Sequence, residues 1–268
     1  MSPDQLEALD AFLITLNRAA ADAALPLFRG DHGLDNKSAK GAFDPVTEAD
    51  RGAEAAIRRL IGQRFPEHGV IGEEYGEDRP DAEFVWVLDP VDGTRAFVAG
   101  LPVWTTLIAL RFQGEPVLGS IAQPFLGELY IGHAGGSRLI TGAGTRPLKV
   151  RRGAPLAEAI IATTDPEGCF DAAEMGAWRQ VRAAARLARL GCDAYAYAMV
   201  AAGTIDLVVE AGLKSWDIEA AAPLIEGAGG LVTDWRGERL GRHGGQSAIA
   251  GDRALLDEAL VALRPAAK

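Results

Sequence analysis

Residues 86–97 read WVLDPVDGTRAF, and this stretch decides how the chain is read. With Phe84 and Val85 ahead of it, it begins as FVWVLD, a short apolar run of strand type that stops at the turn-forming sequence DPVDGT. The strand therefore ends on carboxylates, which makes chemistry available at a strand end. Downstream, Thr105–Phe112, Val117–Ala122, Leu129–Gly132 and Ser137–Ile140 are separated by Gly and Pro and predict successive strands of an antiparallel region. Upstream, Leu6, Leu9, Leu13 and Leu16 recur at helical spacing beside Phe12, so roughly the first 25 residues predict one amphipathic helix, ended by Pro26 and Gly30. The stretch from Gly30 to Pro45 reads as an exposed loop. Thr47, three residues before Asp50, starts a second helix with a capping-box pattern, and Ile57, Leu60 and Ile61 turn it toward a core.

Beyond Leu148 the pattern alternates. It runs through a strand at Ile160–Thr163, a helix around Ala172–Ala185, an Ala/Tyr-rich helix from Tyr195 to Ala202 and a strand at Asp206–Glu210. A helix from Asp217 to Ala228, closed by Gly229 and Gly230, precedes strands at Leu231–Thr233 and Ala248–Ala250 and a last helix at Arg253–Leu263. Alternating helices and strands predict a mixed α/β fold of packed layers. The expected organisation is one compact unit, with an α+β lobe over 1–147 and an α/β lobe over 148–268 that completes the site.

The 268 residues are 48% apolar and 24% charged, the balance of a globular protein with a sizeable core. With 27 basic against 37 acidic residues, the net charge of −10 opposes broad attraction to nucleic acid or an anionic membrane. An anionic ligand then needs a local device such as bound cations. Cys169 and Cys192 form neither a metal-ligand spacing nor a disulfide framework, and the acidic N-terminal stretch lacks the pattern of a signal peptide. A soluble protein of the cytoplasm is expected, with no membrane partner and no nucleic acid partner. His32, His68, His133 and His243 are scattered without zinc spacing and read as surface or loop residues.

Three segments place carboxylates where elements begin or end: GEE at 72–74, DPVDGT at 89–94 and WD at 216–217. If they meet in space they form a hard-cation site, because magnesium takes oxygen ligands and keeps several waters. Each has a plainer reading when taken alone. DPVDGT is an ordinary surface turn, Asp217 a helix N-cap or first-turn residue, and Glu73 with Glu74 a solvated pair.

At these residues the chain resembles the inositol monophosphatase superfamily. The matching segments are DPVTEAD at 44–50, GEE at 72–74, WVLDPVDGTRAF at 86–97 and WDIEAAAPLIEGAGG at 216–230. The resemblance implies a layered αβαβα sandwich, a homodimer and hydrolysis of a small-molecule phosphate monoester with two or three Mg²⁺ ions per site. It assigns Glu73, Asp89 and the Val91 carbonyl to one ion and Asp89, Asp92 and Asp217 to a second, with Glu73 also serving a third. Thr94, with Asp50 behind it, would orient the attacking water, and Glu73 joins them in the catalytic set. The backbone N–H groups of Gly93 and Thr94 would cradle the phosphate.

Within that superfamily, DGTRAFVAGLPVWTTLIAL at 92–110 and the run from Gly191 to Trp235 resemble the histidinol-phosphate phosphatases. Ala96 stands where the animal inositol enzymes usually carry Asn, and Asp193 where they carry a small neutral residue. Asp193 is therefore a candidate for receiving a cationic substrate, together with Glu210, which matches a position that contacts substrate across the superfamily. Asp193 also reads as a cap of the Tyr195 helix. Arg95 either contacts substrate or covers the turn, and Lys37, in the loop from Gly30 to Pro45, is a candidate to close over phosphate. Trp216 departs from the Tyr often seen before this Asp and matches the inositol enzymes, which leaves an inositol, sugar or nucleotide phosphate as the alternative substrate.

Overall fold

A computed structural model describes residues 1–31, 33–36, 45–240 and 243–268. Lys37, His32 and Asp44, named above, lie outside the described residues, as does most of the loop from Gly30 to Pro45.

The chain opens with α1 (Pro3–Ala24), capped by a Ser2–Gln5 capping box. A small ladder of β1 (Asp35–Asn36) and β2 (Pro45–Val46) leads into α2 (Glu48–Arg64), whose Thr47–Asp50 capping box is made as the spacing predicts. Then come β3 (Gly69–Gly72), β4 (Gly76–Asp78), β5 (Phe84–Asp92) and the short α3 (Thr94–Val98). The meander β6 (Thr105–Phe112), β7 (Glu115–Gln123), β8 (Glu128–His133), β9 (Gly136–Thr141) and β10 (Gly144–Pro147) completes an eight-stranded sheet in the order β10-β9-β8-β7-β6-β5-β3-β4. Its meander is antiparallel as expected, while β3 pairs in parallel with β5. The sequence reading missed β3, since GVIG is four buried residues between glycines and too short to show a period.

The second half contributes β11 (Ile160–Thr163), α4 (Pro166–Cys169), α5 (Ala172–Ala184), β12 (Leu187–Leu190), α6 (Tyr195–Ala201), β13 (Leu207–Leu213), α7 (Ser215–Ile218), α8 (Ala221–Gly227), β14 (Leu231–Thr233), β15 (Gly245–Ala250) and α9 (Arg253–Leu263). Five strands form a second sheet in the order β12-β11-β13-β15-β14. The helix expected over 217–228 is corrected to two helices, α7 and α8. Pro223 lacks an N–H and is tolerated only in a helix's first turn, so a new helix starts just before it.

The layering follows from which face each strand buries. On β5, Trp86 and Leu88 pack with Leu9, Leu13 and Leu16 of α1 and Ile57 and Ile61 of α2. Val85 and Val87 face the other way, onto Tyr197 and Val200 of α6 and Leu224 of α8. The outer face of the second sheet carries Ile161, Leu207 and Val209 against Trp178 of α5 and Leu256 and Leu260 of α9. Helices, sheet, helices, sheet, helices: the molecule is a layered αβαβα sandwich. Among the described residues no helix is long and apolar enough to cross a membrane.

Candidate active site

The ends of β5 and β13 open onto one cleft of about 560 Å³ between the two sheets. Glu73, Asp89, Val91, Asp92, Gly93, Thr94, Arg95, Asp193, Glu210 and Asp217 all line it. Asp50 stands behind Thr94, outside the lining. Apart from Lys37, which lies outside the described residues, the candidate site residues named from the sequence are gathered at this cleft, with Asp50 just behind it.

A β-bulge aims the first pair of carboxylates. In a regular strand residues three apart point to opposite faces. Here Asp89 pairs with Leu107 and Asp92 with Thr105, so three steps on β5 oppose two on β6, and both aspartates emerge on the face of Leu107, toward the middle layer. The Pro90 carbonyl, within the bulge, accepts the Thr106 hydroxyl at 2.8 Å. A second bulge, between Glu210 and Leu213 of β13, sends the chain from Glu210 into α7 and Asp217.

Gly93 follows in the left-handed region at φ 79°, where a side chain is strained, and a Cβ placed there would lie 3.0 Å from Asp193 Oδ2. Asp193 therefore stands directly against the turn. It does not cap α6, whose N-cap is Ala194 with no side-chain hydrogen bond, so that reading of Asp193 falls away. The Ala194 N–H instead donates to Asp92 Oδ2 at 2.8 Å, joined by the Thr105 hydroxyl at 3.1 Å. Asp217 sits in the first turn of α7 and accepts the Lys214 N–H at 2.7 Å, so the first-turn reading and a place in the cleft coexist.

Thr94 Oγ1 lies 3.1 Å from Asp50 Oδ1 and 3.1 Å from the Val91 carbonyl, with one proton to give. The other oxygen of Asp50 accepts the Thr47 hydroxyl at 2.5 Å and the Thr47 N–H at 2.8 Å. Asp50 is thus held rigidly behind Thr94. Burial raises its pKa, opposed by the Thr47 hydrogen bonds.

The electrostatics are those of crowded acids. Asp89 is pushed well above the carboxylate range, first by burial and then by Glu73, Asp92 and Asp217, and Asp92 is raised by burial and by Asp193. Burial lifts Asp217 to about 6, Asp193 to about 6 and Glu210 to about 8, the last despite accepting the hydroxyls of Thr163 and Thr164. Asp89 Oδ1 is buried with no hydrogen-bond partner. Such an atom costs free energy unless something cationic meets it. Among the described residues no three His, Cys, Asp or Glu side chains are drawn tightly enough to hold an ion unaided. The oxygen donors around the orphaned Asp89 atom are of the kind magnesium takes, since it keeps waters and shares its shell with substrate oxygens.

Some supports escaped the sequence reading. Arg95 Nη1 donates to Asp165 Oδ2 at 2.8 Å across the cleft, so Arg95 covers the turn and Asp165 adds a carboxylate to the wall. Arg111 of β6 donates through Nε to Glu219 at 2.6 Å and through Nη2 to its other oxygen, which ties the α7–α8 junction to the first sheet. Glu54 of α2 accepts the N–H groups of Glu74 and Tyr75, beside Glu73. Of these, only Glu54 had a local signal, its four-residue spacing to Arg58.

The chain is similar to known proteins over nearly its whole length. The model of the inositol monophosphatase family matches residues 5–268. The chain is 40% identical over 252 residues to the bifunctional phosphatase IMPL2, chloroplastic, of Arabidopsis thaliana, covering 93% of this chain and 71% of that protein. It is 35% identical over 262 residues to a histidinol-phosphatase of Mycobacterium tuberculosis, covering 93% and 97%. A solved inositol monophosphatase from Zymomonas mobilis superimposes with a TM-score of 0.85 at 38% identity, over 98% of this chain and 100% of that one. With the layered sandwich, the bulged DPVDGT turn and a match over nearly its whole length, this chain belongs to the inositol monophosphatase family of phosphatases.

Proposed function

We propose that the protein is a Mg²⁺-dependent phosphomonoesterase that hydrolyses histidinol phosphate to histidinol and phosphate. The observation carrying the substrate is the position of Asp193. Its carboxylate abuts the Gly93 turn, with Glu210 in the same wall and Asp165 already paired with Arg95, so a substrate cation would be received by Asp193 beside the phosphate cradle. Histidinol phosphate carries a primary ammonium and an imidazole, while inositol carries no charge on its organic half.

Glu73, Asp89 and the Val91 carbonyl would hold one magnesium ion, Asp89, Asp92 and Asp217 a second, with Glu73 shared by a third; the orphaned Asp89 oxygen supports this set. When bound, magnesium supplies acidification of the attacking water and neutralisation of charge on the phosphoryl oxygens. The remaining steps belong to the chain. The Asp50 carboxylate accepts a hydrogen bond from the Thr94 hydroxyl, which turns a lone pair of Thr94 Oγ1 toward the water and aims it. The Gly93 and Thr94 N–H groups orient the phosphate, and Asp193 and Glu210 hold the organic half. The direct attack needs no covalent intermediate. A homodimer in the cytoplasm completes the proposal.

Trp216, set against the core beside Asp217, favours a second reading as an inositol monophosphatase or a broader sugar or nucleotide phosphatase. Phosphate release from histidinol phosphate, inositol 1-phosphate and adenosine 3′-phosphate in Mg²⁺ separates the two, with histidinol phosphate expected to lead in kcat/KM. A charge-assisted contact contributes about 1.5–3 kcal/mol, so Asp193→Asn should lower kcat/KM for histidinol phosphate roughly 10- to 100-fold and spare inositol phosphate. Equal losses on both would remove Asp193 from recognition, and a wild-type preference for inositol phosphate would overturn the histidinol assignment.

A further inference from the structure

Glu54 is fully buried on α2 and does not line the cleft, yet it ends at the turn that carries Glu73. Its Oε2 accepts the Glu74 N–H at 2.8 Å, and its Oε1 accepts the Tyr75 N–H at 3.2 Å and Arg58 Nε–H at 2.7 Å. Arg58 also donates through Nη2 to the Gly76 carbonyl, at the far end of the same turn. The Glu73 N–H itself donates to the Leu88 carbonyl, next to Asp89, at 3.3 Å. Three consecutive backbone N–H groups, those of residues 73–75, are therefore anchored, one on β5 and two on a single carboxylate.

Gly72 makes this approach possible. A Cβ there would overlap the Glu54 carboxylate, and Gly72 is not in the left-handed region, so the glycine answers to space rather than to backbone conformation. A buried carboxylate is costly to desolvate. Placing one between two adjacent amides and a guanidinium fixes the orientation of the turn, and with it the distance of the Glu73 side chain from Asp89 on the neighbouring strand.

We infer that Glu54 is a positioning residue for the cation site: it sets magnesium affinity through the backbone of the 73–75 turn without touching the ion, the substrate or the reacting water. The inference rests on the proposed role of Glu73 as a magnesium ligand.

The test is Mg²⁺ binding to the purified, substrate-free protein by isothermal titration calorimetry, comparing wild type with Glu54→Gln, Gly72→Ala and Glu73→Gln. Glu54→Gln puts an amide donor where an N–H must be accepted, and Gly72→Ala displaces the Glu54 carboxylate while leaving its charge. Both should weaken Mg²⁺ binding about 10-fold, with native near-ultraviolet circular dichroism and with kcat at saturating Mg²⁺ within about 3-fold of wild type. If Glu73→Gln weakens binding while the other two stay within about twofold of wild type, Glu54 is scaffold alone and the inference is overturned. A lowered metal-free Tm with unchanged Mg²⁺ affinity would overturn it in the same way. If Glu73→Gln itself leaves binding intact, the proposed ligand set fails first. Should Glu54→Gln fail to fold, Gly72→Ala decides.

Discussion

At the scale of single residues, the cleft depends on side chains held by what stands behind them. Thr94 shares one proton between Asp50 and the Val91 carbonyl, and the Asp50 arm is braced by both donors of Thr47. Thr94→Ala should lower kcat by about 10²- to 10⁴-fold and Thr94→Ser should retain most of it, with the Mg²⁺ half-saturation unchanged in both. Steady-state kinetics across Mg²⁺ concentrations checks this, and a large shift in half-saturation would make Thr94 a metal-site residue instead. Gly93 has two constraints, its left-handed φ of 79° and the Asp193 carboxylate against its open side. Gly93→Ala should cost about 1–2 kcal/mol from the backbone alone and raise KM as Asp193 is displaced, read by chemical denaturation and kinetics. Thr47 and Asp50 were legible as a cap because both partners lie within one turn of helix. The contact of Asp193 with Gly93 was not, because it joins residues a hundred positions apart in sequence.

At the scale of elements, two bulges and one ion pair aim the site. The Arg111–Glu219 pair is nearly dry, with side-chain exposures of 9% and 4%, and it joins β6 to the residue two places after Asp217. Removing one partner leaves a buried charge, so Arg111→Met should destabilise the fold by about 3–5 kcal/mol, while Arg111→Met with Glu219→Met should recover most of the loss. Urea unfolding of the two single variants and the double variant checks this; a double variant as unstable as the singles would show that the pair's geometry, and not its charge, holds the joint. The bulge in β5 was invisible in DPVDGT, which reads as a surface turn. Its effect appears only when the partner strand is known, since the extra residue is defined against Leu107 and Thr105. The break between α7 and α8 was more accessible, because Pro223 marks a first turn by its chemistry.

At the scale of the whole molecule, the acidic cleft ties stability to pH. Asp193, Asp217 and Glu210 bind protons more tightly in the folded protein than in the unfolded chain, at about 6, 6 and 8. Between about pH 4 and pH 8 the folded state therefore holds more protons than the unfolded one, so metal-free stability should fall as pH rises through that window. Mg²⁺ offsets the repulsion among the ionised groups, so its stabilising effect should grow toward pH 8. Thermal unfolding at pH 5, 6.5 and 8, with excess chelator and with Mg²⁺, tests both; a metal-free Tm that rises across the window would contradict the crowding of acids. Chelation should also abolish turnover, with recovery on adding Mg²⁺. Light scattering should return twice the chain mass for the proposed homodimer.

What the sequence determined by itself is whatever depends on neighbours along the chain. The amphipathic faces of α1 and α2, the alternating strands of the meander, the Thr47 cap and the carboxylate-bearing ends of elements all follow from periodicity and local hydrogen bonding within a few residues. The family was legible for a related reason, since its motifs are contiguous runs. Tertiary structure alone decided which carboxylates share a cleft and which face of β5 they leave by. It also decided that Glu54 holds the 73–75 turn and that Asp165 and Arg95 meet across the cleft. These are pairings between distant segments, and their partners are chosen by the packing of two sheets around a middle layer of helices, which no local spacing encodes.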